Sequence, residues 1–462
     1  MNPPHNHARN HAIVIGGSLG GLLTARALSD HFTRVTILER DAVSPEPESR
    51  KGQPQTRHLH GLLATGLHVM THYFPDLPQA LQDGGAMMRD FASSMNWYSF
   101  GGYRKQFEMG VYATAMSRPL LEALVRARVV ALPNVTLMDN TAVKHLVTTT
   151  DRQWVTGVEV EARGKDLSTT LLADLIVDVS GRGSRSPQWL QELGYSAPST
   201  SEVKVDIGYA TRMYRRDPAD PRGQTWTLIT PEAPKETRFG AMFPIEGDRW
   251  IVSLGGWAGD HAPTDVKGFL AFARSLPAPD IYEVISHTEP ISDIIQHKFP
   301  FSLRRHYEKL TRFPKGYLVL GDAISSFNPT YGQGMTSAAL QTLELQKLLA
   351  KNTPLDALAM TFFKRAAKVI DIPWQLAVGE DFRFPTTTGS KPAGTDLINR
   401  YVVKVHRATL RDEVVGLAFL KVMNLMEPPT SLFHPRILWR VLRSKPANVQ
   451  FALRTPQSVA GD

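Results

Sequence analysis

The 462-residue sequence contains no cysteine. That excludes disulfide cross-links, thiol nucleophiles and cysteine-ligated metal or iron–sulfur centres together. No run of 18 or more apolar residues occurs, so no segment is expected to span a bilayer. The opening MNPPHNHARNH lacks the apolar centre of a secretory leader, and a cytoplasmic protein is expected. A polar tail accounts for His5, His7 and His11 better than a metal site, and no metal is expected. Surplus charge is also scarce over most of the chain. Residues 400–454 hold ten Lys and Arg (Arg400, Lys404, Arg407, Arg411, Lys421, Arg436, Arg440, Arg443, Lys445, Arg454) against Asp412, Glu413 and Glu427, which is most of the net +8. So local a charge argues against a nucleic-acid binder. The basic end reads as a solvated helical face, with peripheral contact to an anionic lipid surface as the alternative.

What is present has the periodicities of an α/β fold. AIVIG, GGLLTARALSDH and VTILE read as strand, helix and strand within about thirty residues, a βαβ unit that implies a parallel sheet. RDAVSPEPESRKGQPQTR (40–57) reads as a loop, and HLHGLLATGLHVMTHYF as a helix. SRPLLEALVRARVVAL (117–132) is an amphipathic helix, and the alternating stretches after it form a β-meander. Positions 203–256 hold several strands of a mostly antiparallel sheet. GYLVLGDA (316–323) is one more buried strand, and the chain after residue 333 is chiefly helical. The expected fold is a Rossmann-like domain with a parallel sheet and meander, a second, mostly antiparallel sheet, and a helical C-terminal region; the motifs below make the first part FAD-binding and the second the substrate sheet. Residues 1–75, 112–200 and 296–380 make up the first part. Residues 76–111 supply a hairpin to the second, 201–295 its sheet, and 381–462 the helices.

GGSLGG (16–21) stands where a dinucleotide fingerprint belongs, with Ser18 in the middle glycine's place between Gly16 and Gly21. The first glycine allows the tight turn, a small middle residue lets pyrophosphate approach, and the third lets helix and strand pack closely. Glu39, followed by Arg40, ends the second strand, where a carboxylate accepts the ribose hydroxyls and repels a 2′-phosphate. FAD or NAD is therefore expected rather than NADP.

GDAISSFNPTYGQGMTSAALQ (321–341) decides between them. A reduced flavin is negative around N1 and the C2 carbonyl, and needs amide donors and a helix dipole there. Gly332, Gly334 and Met335 offer bare N–H groups at a helix start, Asp322 can accept from ribityl hydroxyls, and Pro329 fixes the backbone beside the ring.

These residues resemble the FAD-dependent monooxygenases of the p-hydroxybenzoate hydroxylase fold, whose strand–GD–x–P–x–x–G–x–G–helix element Gly321, Asp322, Pro329, Gly332 and Gly334 match. Arg118 in SRPLLEAL matches that family's arginine at the head of a helix against the cofactor. Arg50 and Lys51 in RKGQPQTRHLH fall in its loop toward the pyrophosphate and flavin. The RKGQPQTRHLH, DVSGRGSR and FNPTYGQGM stretches are most similar to bacterial polyketide-tailoring epoxidases and spirotetronate-type flavin cyclases. Ser180-Gly181 replaces the family's Asp-Gly, which leaves the electron donor open between NAD(P)H and reduced flavin from a separate reductase. A Ser-Gly version also occurs in flavin halogenases and prenyl reductases. The halogenase W-x-W-x-I-P signature is absent, the nearest segment being RFGAMFPI (238–245).

The resemblance implies a monooxygenase that epoxidises or hydroxylates a small lipophilic, olefinic, natural-product-like substrate with O2, through a flavin C4a-hydroperoxide. A non-redox FAD-containing polyene cyclase is the alternative. His58 and His60 are the weak candidates for a catalytic role. Either one faces the flavin or substrate mouth, or both are polar helix-start residues. Trp97, Tyr98, Phe100, Tyr103, Phe107, Trp250 and Trp257 divide between packing and pocket lining. LAFLKVMNLM (417–426) is expected to cap the substrate cavity from the core side.

Overall fold

The computed structural model describes residues 9–50, 52–164 and 168–444. His5, His7, Lys51, Lys445 and Arg454 lie outside the described residues.

Parallel strands covered on both faces must be apolar throughout, and five short runs meet that demand. They form a parallel sheet in the order Tyr317–Val319, Leu175–Asp178, His11–Ile15, Arg34–Leu38, Val135–Met138. Val14 sits opposite Val177 on one side and Ile37 on the other, all three fully buried. The first strand starts at His11 and not after it. The His11 imidazole meets the Leu172 carbonyl (2.7 Å) and Thr36 Oγ1 (2.9 Å), so it is a paired strand residue rather than part of a polar tail. Helices Leu19–Ser29 and Gly334–Ala350 pack together over this sheet. Thr141–Thr148, Val155–Ala162 and Ser168–Leu172 form the antiparallel meander.

The larger sheet runs Ser325–Ser326, Ile295–Arg305, Thr200–Arg215, Arg249–Gly256, Arg238–Ile245, Trp226–Ile229, Met95–Ser99, Gly102–Tyr103. Two differences from expectation follow. Ile295–Arg305 pairs with Thr200–Arg215 over most of its length, so the sheet extends to residue 305 and the division at 295/296 falls inside a strand. Second, RHLHGLL is not helical. A 3-10 turn at Pro54–Arg57 is followed by irregular chain in which Leu62 bridges Thr114, and the helix begins only at Ala64. The His58 ring is drawn toward the large sheet by its bond to Thr211 Oγ1 (2.8 Å).

One face of this sheet is closed by helices Val266–Arg274 and Asp280–Ile285. Asp265 caps the first by accepting from Gly268 N–H, and Phe269, Phe272 and Ala273 fall at helical spacing toward Ala210, Val252 and Leu254. The opposite face carries Tyr209, Phe239, Trp257 and Phe299 toward the parallel-sheet half.

Helices Thr395–Ala408, Glu413–Met423 and Pro435–Arg443 close the remaining end. Val405, Val415, Phe419 and Leu420 form one core with Met95, Trp97 and Trp226 of the large sheet. Burying a side chain such as Phe419 contributes about 1.5–3 kcal/mol, so these helices are integral to the fold. Trp439 and Leu442 of the last helix stay exposed, each at 58%. Among the described residues no helix is long and apolar enough to cross a membrane.

The tightest constraint lies where the first strand meets its helix. A Cβ at Gly21 would stand 1.8 Å from the Gly16 carbonyl oxygen, whereas one at Gly183 would meet nothing within 4 Å. Gly21→Ala is expected to cost at least about 3 kcal/mol. Gly183→Ala should stay within about 0.5 kcal/mol of the parent. Urea unfolding midpoints of the two variants check this.

Candidate functional site

A cavity of about 840 Å3 runs between the two sheets, near the upper end for small-molecule sites. Its nucleotide end is lined by Gly16, Ser18, Glu39, Arg40 and Arg118, and its centre by Asp322, Pro329, Gly332, Gly334, Met335 and His60. Gly21 lies beneath the wall, in the strand–helix contact described above.

Arg50 is not part of the wall. It is buried between two carboxylates, with Glu39 Oε2 at 3.1 Å and Glu122 Oε1 at 2.7 Å. Glu39 also accepts from Gly17 N–H (2.9 Å) and Asp41 N–H (3.0 Å), so three groups, with Arg50, fix its carboxylate at the end of the second strand. Glu122 follows Arg118 by one helical turn, and Ser18 Oγ donates to it at 3.2 Å. Burial alone would push the Glu122 carboxyl up, but Arg118 and Arg50 outweigh it and hold it below its ordinary value. Burial also opposes the Arg50 charge, yet Glu122 and Glu39 leave that guanidinium raised. Arg50 thus neutralises the carboxylates that shape the nucleotide end.

Asp322 follows the strand Tyr317–Val319 and is solvent-accessible where it lines the cavity. Burial raises its carboxyl, and the nearby Arg118 and Arg182 charges offset this in part. Asp178 serves the adjoining DVSGRGSR loop. It accepts from Ser180 N–H (2.9 Å), Ser184 Oγ (2.5 Å) and Ser186 Oγ, which makes it the structural anchor of that turn.

The start of helix Gly334–Ala350 is the positive pole of the site. The first intrahelical amide bond nearby is Ser337 N–H to Gln333 carbonyl, 2.9 Å, so the preceding amides have no partner within the helix. A Cβ at Gly334 would meet nothing within 4 Å, which leaves the helix end open to the cavity. Gly332 acts differently from expectation. Its N–H donates to the Pro329 carbonyl (3.0 Å), and its φ of +67° supplies the left-handed turn into the helix.

A residue far away in the chain holds this turn. Asp381, fully buried at the end of helix Leu355–Asp381, accepts at Oδ1 from Asn328 Nδ2–H (2.8 Å), Tyr331 O–H (2.9 Å) and Trp257 Nε1–H (3.1 Å). Burial pushes its carboxyl up to about 7, against the pull of those three donors.

The far end of the cavity is aromatic, with walls from Trp97, Phe100, Trp226, Phe239, Trp257 and Phe419. Trp97, Phe100 and Trp257 are thus lining residues. Trp250 is buried in the core beyond the sheet, and Tyr103 is exposed at its edge. Phe419 and Met423 bring the 417–426 segment onto the cavity. His58 does not line it. His60 does, and its Nδ1–H donates to the His58 carbonyl at 3.0 Å. Burial lowers His60 to about 4 and His58 to about 3, so both rings are neutral at neutral pH. Among the described residues, no group of three or more His, Asp or Glu is arranged around a metal position.

Cavity volume, paired carboxylates at one end and an open helix start at the centre suit FAD. The adenosine would lie toward Glu39, the pyrophosphate at Gly16–Ser18, the ribityl chain by Asp322 and the ring's N1–C2 edge, negative when reduced, before Gly334 and Met335.

Because Asp381 sits above its ordinary 3.8 in the folded protein, folding takes up a proton between about pH 4 and 7. Stability from this group therefore falls as pH rises through that window and levels off above it. Asp381→Asn removes the slope, so the unfolding free energy of the variant relative to the parent should improve from pH 5 to pH 8. Thermal unfolding across that range checks this, and a pH-independent difference would contradict it.

A profile of the FAD binding domain family matches residues 9–354. The chain is 32% identical over 445 residues to Protein Rv3254 of Mycobacterium tuberculosis, covering 91% of this chain and 90% of that protein. It is 24% identical over 386 residues to a kynurenine 3-monooxygenase of Salinispora tropica, covering 79% and 77%. The solved flavin-dependent brominase Bmp2 superposes with a TM-score of 0.63 at 14% identity over 90% of this chain and 94% of its own, a likeness of fold. The chain belongs to the FAD binding domain family and is an FAD-dependent oxidoreductase of the monooxygenase type, built on the p-hydroxybenzoate hydroxylase fold.

Proposed function

We propose that this enzyme epoxidises or hydroxylates a small lipophilic, olefinic molecule of natural-product type. The observation that carries the reading is the continuity of the cavity: the open helix start at Gly334 faces the same space as the aromatic walls. Bound FAD supplies the chemistry, activation of O2 so that one oxygen atom enters the substrate while the other leaves as water with two electrons from a donor.

The protein's own contribution is placement and dryness. The Gly334 and Met335 amides and the helix dipole favour negative charge at the ring edge. Asp322 and Arg118 hold the chain between ring and pyrophosphate. Trp97, Phe100, Trp226 and Phe419 present hydrocarbon instead of water to the reacting space. An olefin needs no acid or base from the protein. His60, the cavity-lining histidine of the RHLH pair, is neutral and acts by shape and hydrogen bonding. The electron donor is NAD(P)H directly or a flavin reductase.

Reaction of the FAD-loaded enzyme with isotopically labelled O2, an NAD(P)H or reductase supply and a panel of polyenes tests this. Label in the product supports oxygenation. Turnover without label, persisting with a non-reducible flavin analogue, replaces it with the cyclase reading of the same cavity. Gly334→Val should lower turnover at least about tenfold by closing the helix end to the ring.

A further inference from the structure

We propose that Glu380 is the anchor for a neutral hydroxyl group of the substrate at the aromatic end of the cavity; this rests on the lipophilic-substrate reading above. Glu380 lines the cavity and keeps 27% of its side chain accessible, although the fold surrounds it. It is an ionised acceptor among hydrocarbon walls, and Arg383 on its own segment with residues of two others keeps it so. Arg383 Nη1 donates to Oε2 at 2.7 Å. The His406 Nε2–H donates to Oε1 at 3.3 Å, and Arg104 Nη2 donates to His406 Nδ1 at 2.8 Å, which fixes that tautomer. The cations are locked in turn by rings. The Arg104 guanidinium lies 4.1 Å from the Trp97 centroid and 4.5 Å from that of Phe419, and Arg383 lies 5.0 Å from Phe100. Phe100 stacks on His406 at 4.7 Å.

Burial opposes ionisation of Glu380, yet Arg383 and His406 hold it well below the ordinary carboxylate range. Apolar residues would fill such a place at no cost in stability, so the retained charge points to recognition. Each carboxylate oxygen accepts about two hydrogen bonds, and the protein supplies one side-chain donor to each. The ligand group must therefore be a donor. One guanidinium already pairs with the carboxylate and a second stands behind His406, while burial drops His406 to about 4 and leaves it neutral. An ammonium would add a third positive charge, and a carboxylate would meet Glu380. A hydroxyl satisfies both constraints.

The test is equilibrium dialysis of the FAD-loaded, full-length protein against three matched probes: farnesol, its methyl ether and farnesylamine. Farnesol should bind about tenfold more tightly than either of the others, the difference expected when a donor meets a charged acceptor. Glu380→Gln, which keeps shape and loses charge, should bring the alcohol-to-ether ratio toward one while the ether's affinity stays within about twofold. Equal binding of alcohol and ether to the parent protein overturns the proposal and leaves the apolar cavity reading in place. Tightest binding by the amine overturns the neutral-hydroxyl assignment. Binding of none of the three overturns the lipophilic-substrate reading and this proposal with it.

Discussion

Asp381 is the point at which three distant segments meet. Its Oδ1 takes hydrogen bonds from Asn328 and Tyr331 of the turn before helix Gly334–Ala350, and from Trp257 just past the end of a central strand of the large sheet. The carboxylate itself belongs to the end of the long helix Leu355–Asp381. A turn of Pro, Gly and small residues has few ways to hold itself, and loop backbone ordered without packing is entropically costly. Burying a carboxyl there costs free energy that only its three donors offset. What is obtained is a fixed relation between the positive helix end and the aromatic chamber.

The same economy governs both ends of the cavity. At the nucleotide end Arg50 sits between Glu39 and Glu122, so that a carboxylate can stand ready at the second strand without repelling its neighbour. At the aromatic end Arg383, His406 and Arg104 keep Glu380 ionised. In both places the charge is paired before any ligand arrives, which reduces the reorganisation that binding requires. The centre of the cavity is left to backbone amides and one accessible carboxylate, Asp322.

Much of this was legible in local pattern. The βαβ unit, the glycine turn, Glu39 and the helix start at Gly334 lie in contiguous stretches whose periodicity and small residues state their geometry. Glu122 was not singled out: it stands one helical turn after Arg118, but its meaning depends on Arg50 lying between it and Glu39. Asp381, Glu380, Arg383 and His406 carried no signal, because a carboxylate near the end of an amphipathic helix is ordinarily solvated. Their role arises when the C-terminal helices fold back over the large sheet. The RHLHGLL stretch misled for a related reason: its helical spacing lost to tertiary bonds from His58 to Thr211 and from Leu62 to Thr114. Gly332 was assigned an amide role that its own turn consumes.

The central claim is that the N1–C2 edge of the flavin ring, which carries negative charge on reduction, rests on the amides that open the helix at Gly334. A crystal structure of the FAD complex tests it most directly. The account predicts ring density with the N1–C2 edge within hydrogen-bond distance of the Gly334 and Met335 amides, about 2.7–3.2 Å, and the adenosine beside Glu39. Density placing the ring away from that helix, or the adenosine away from Glu39, would contradict it.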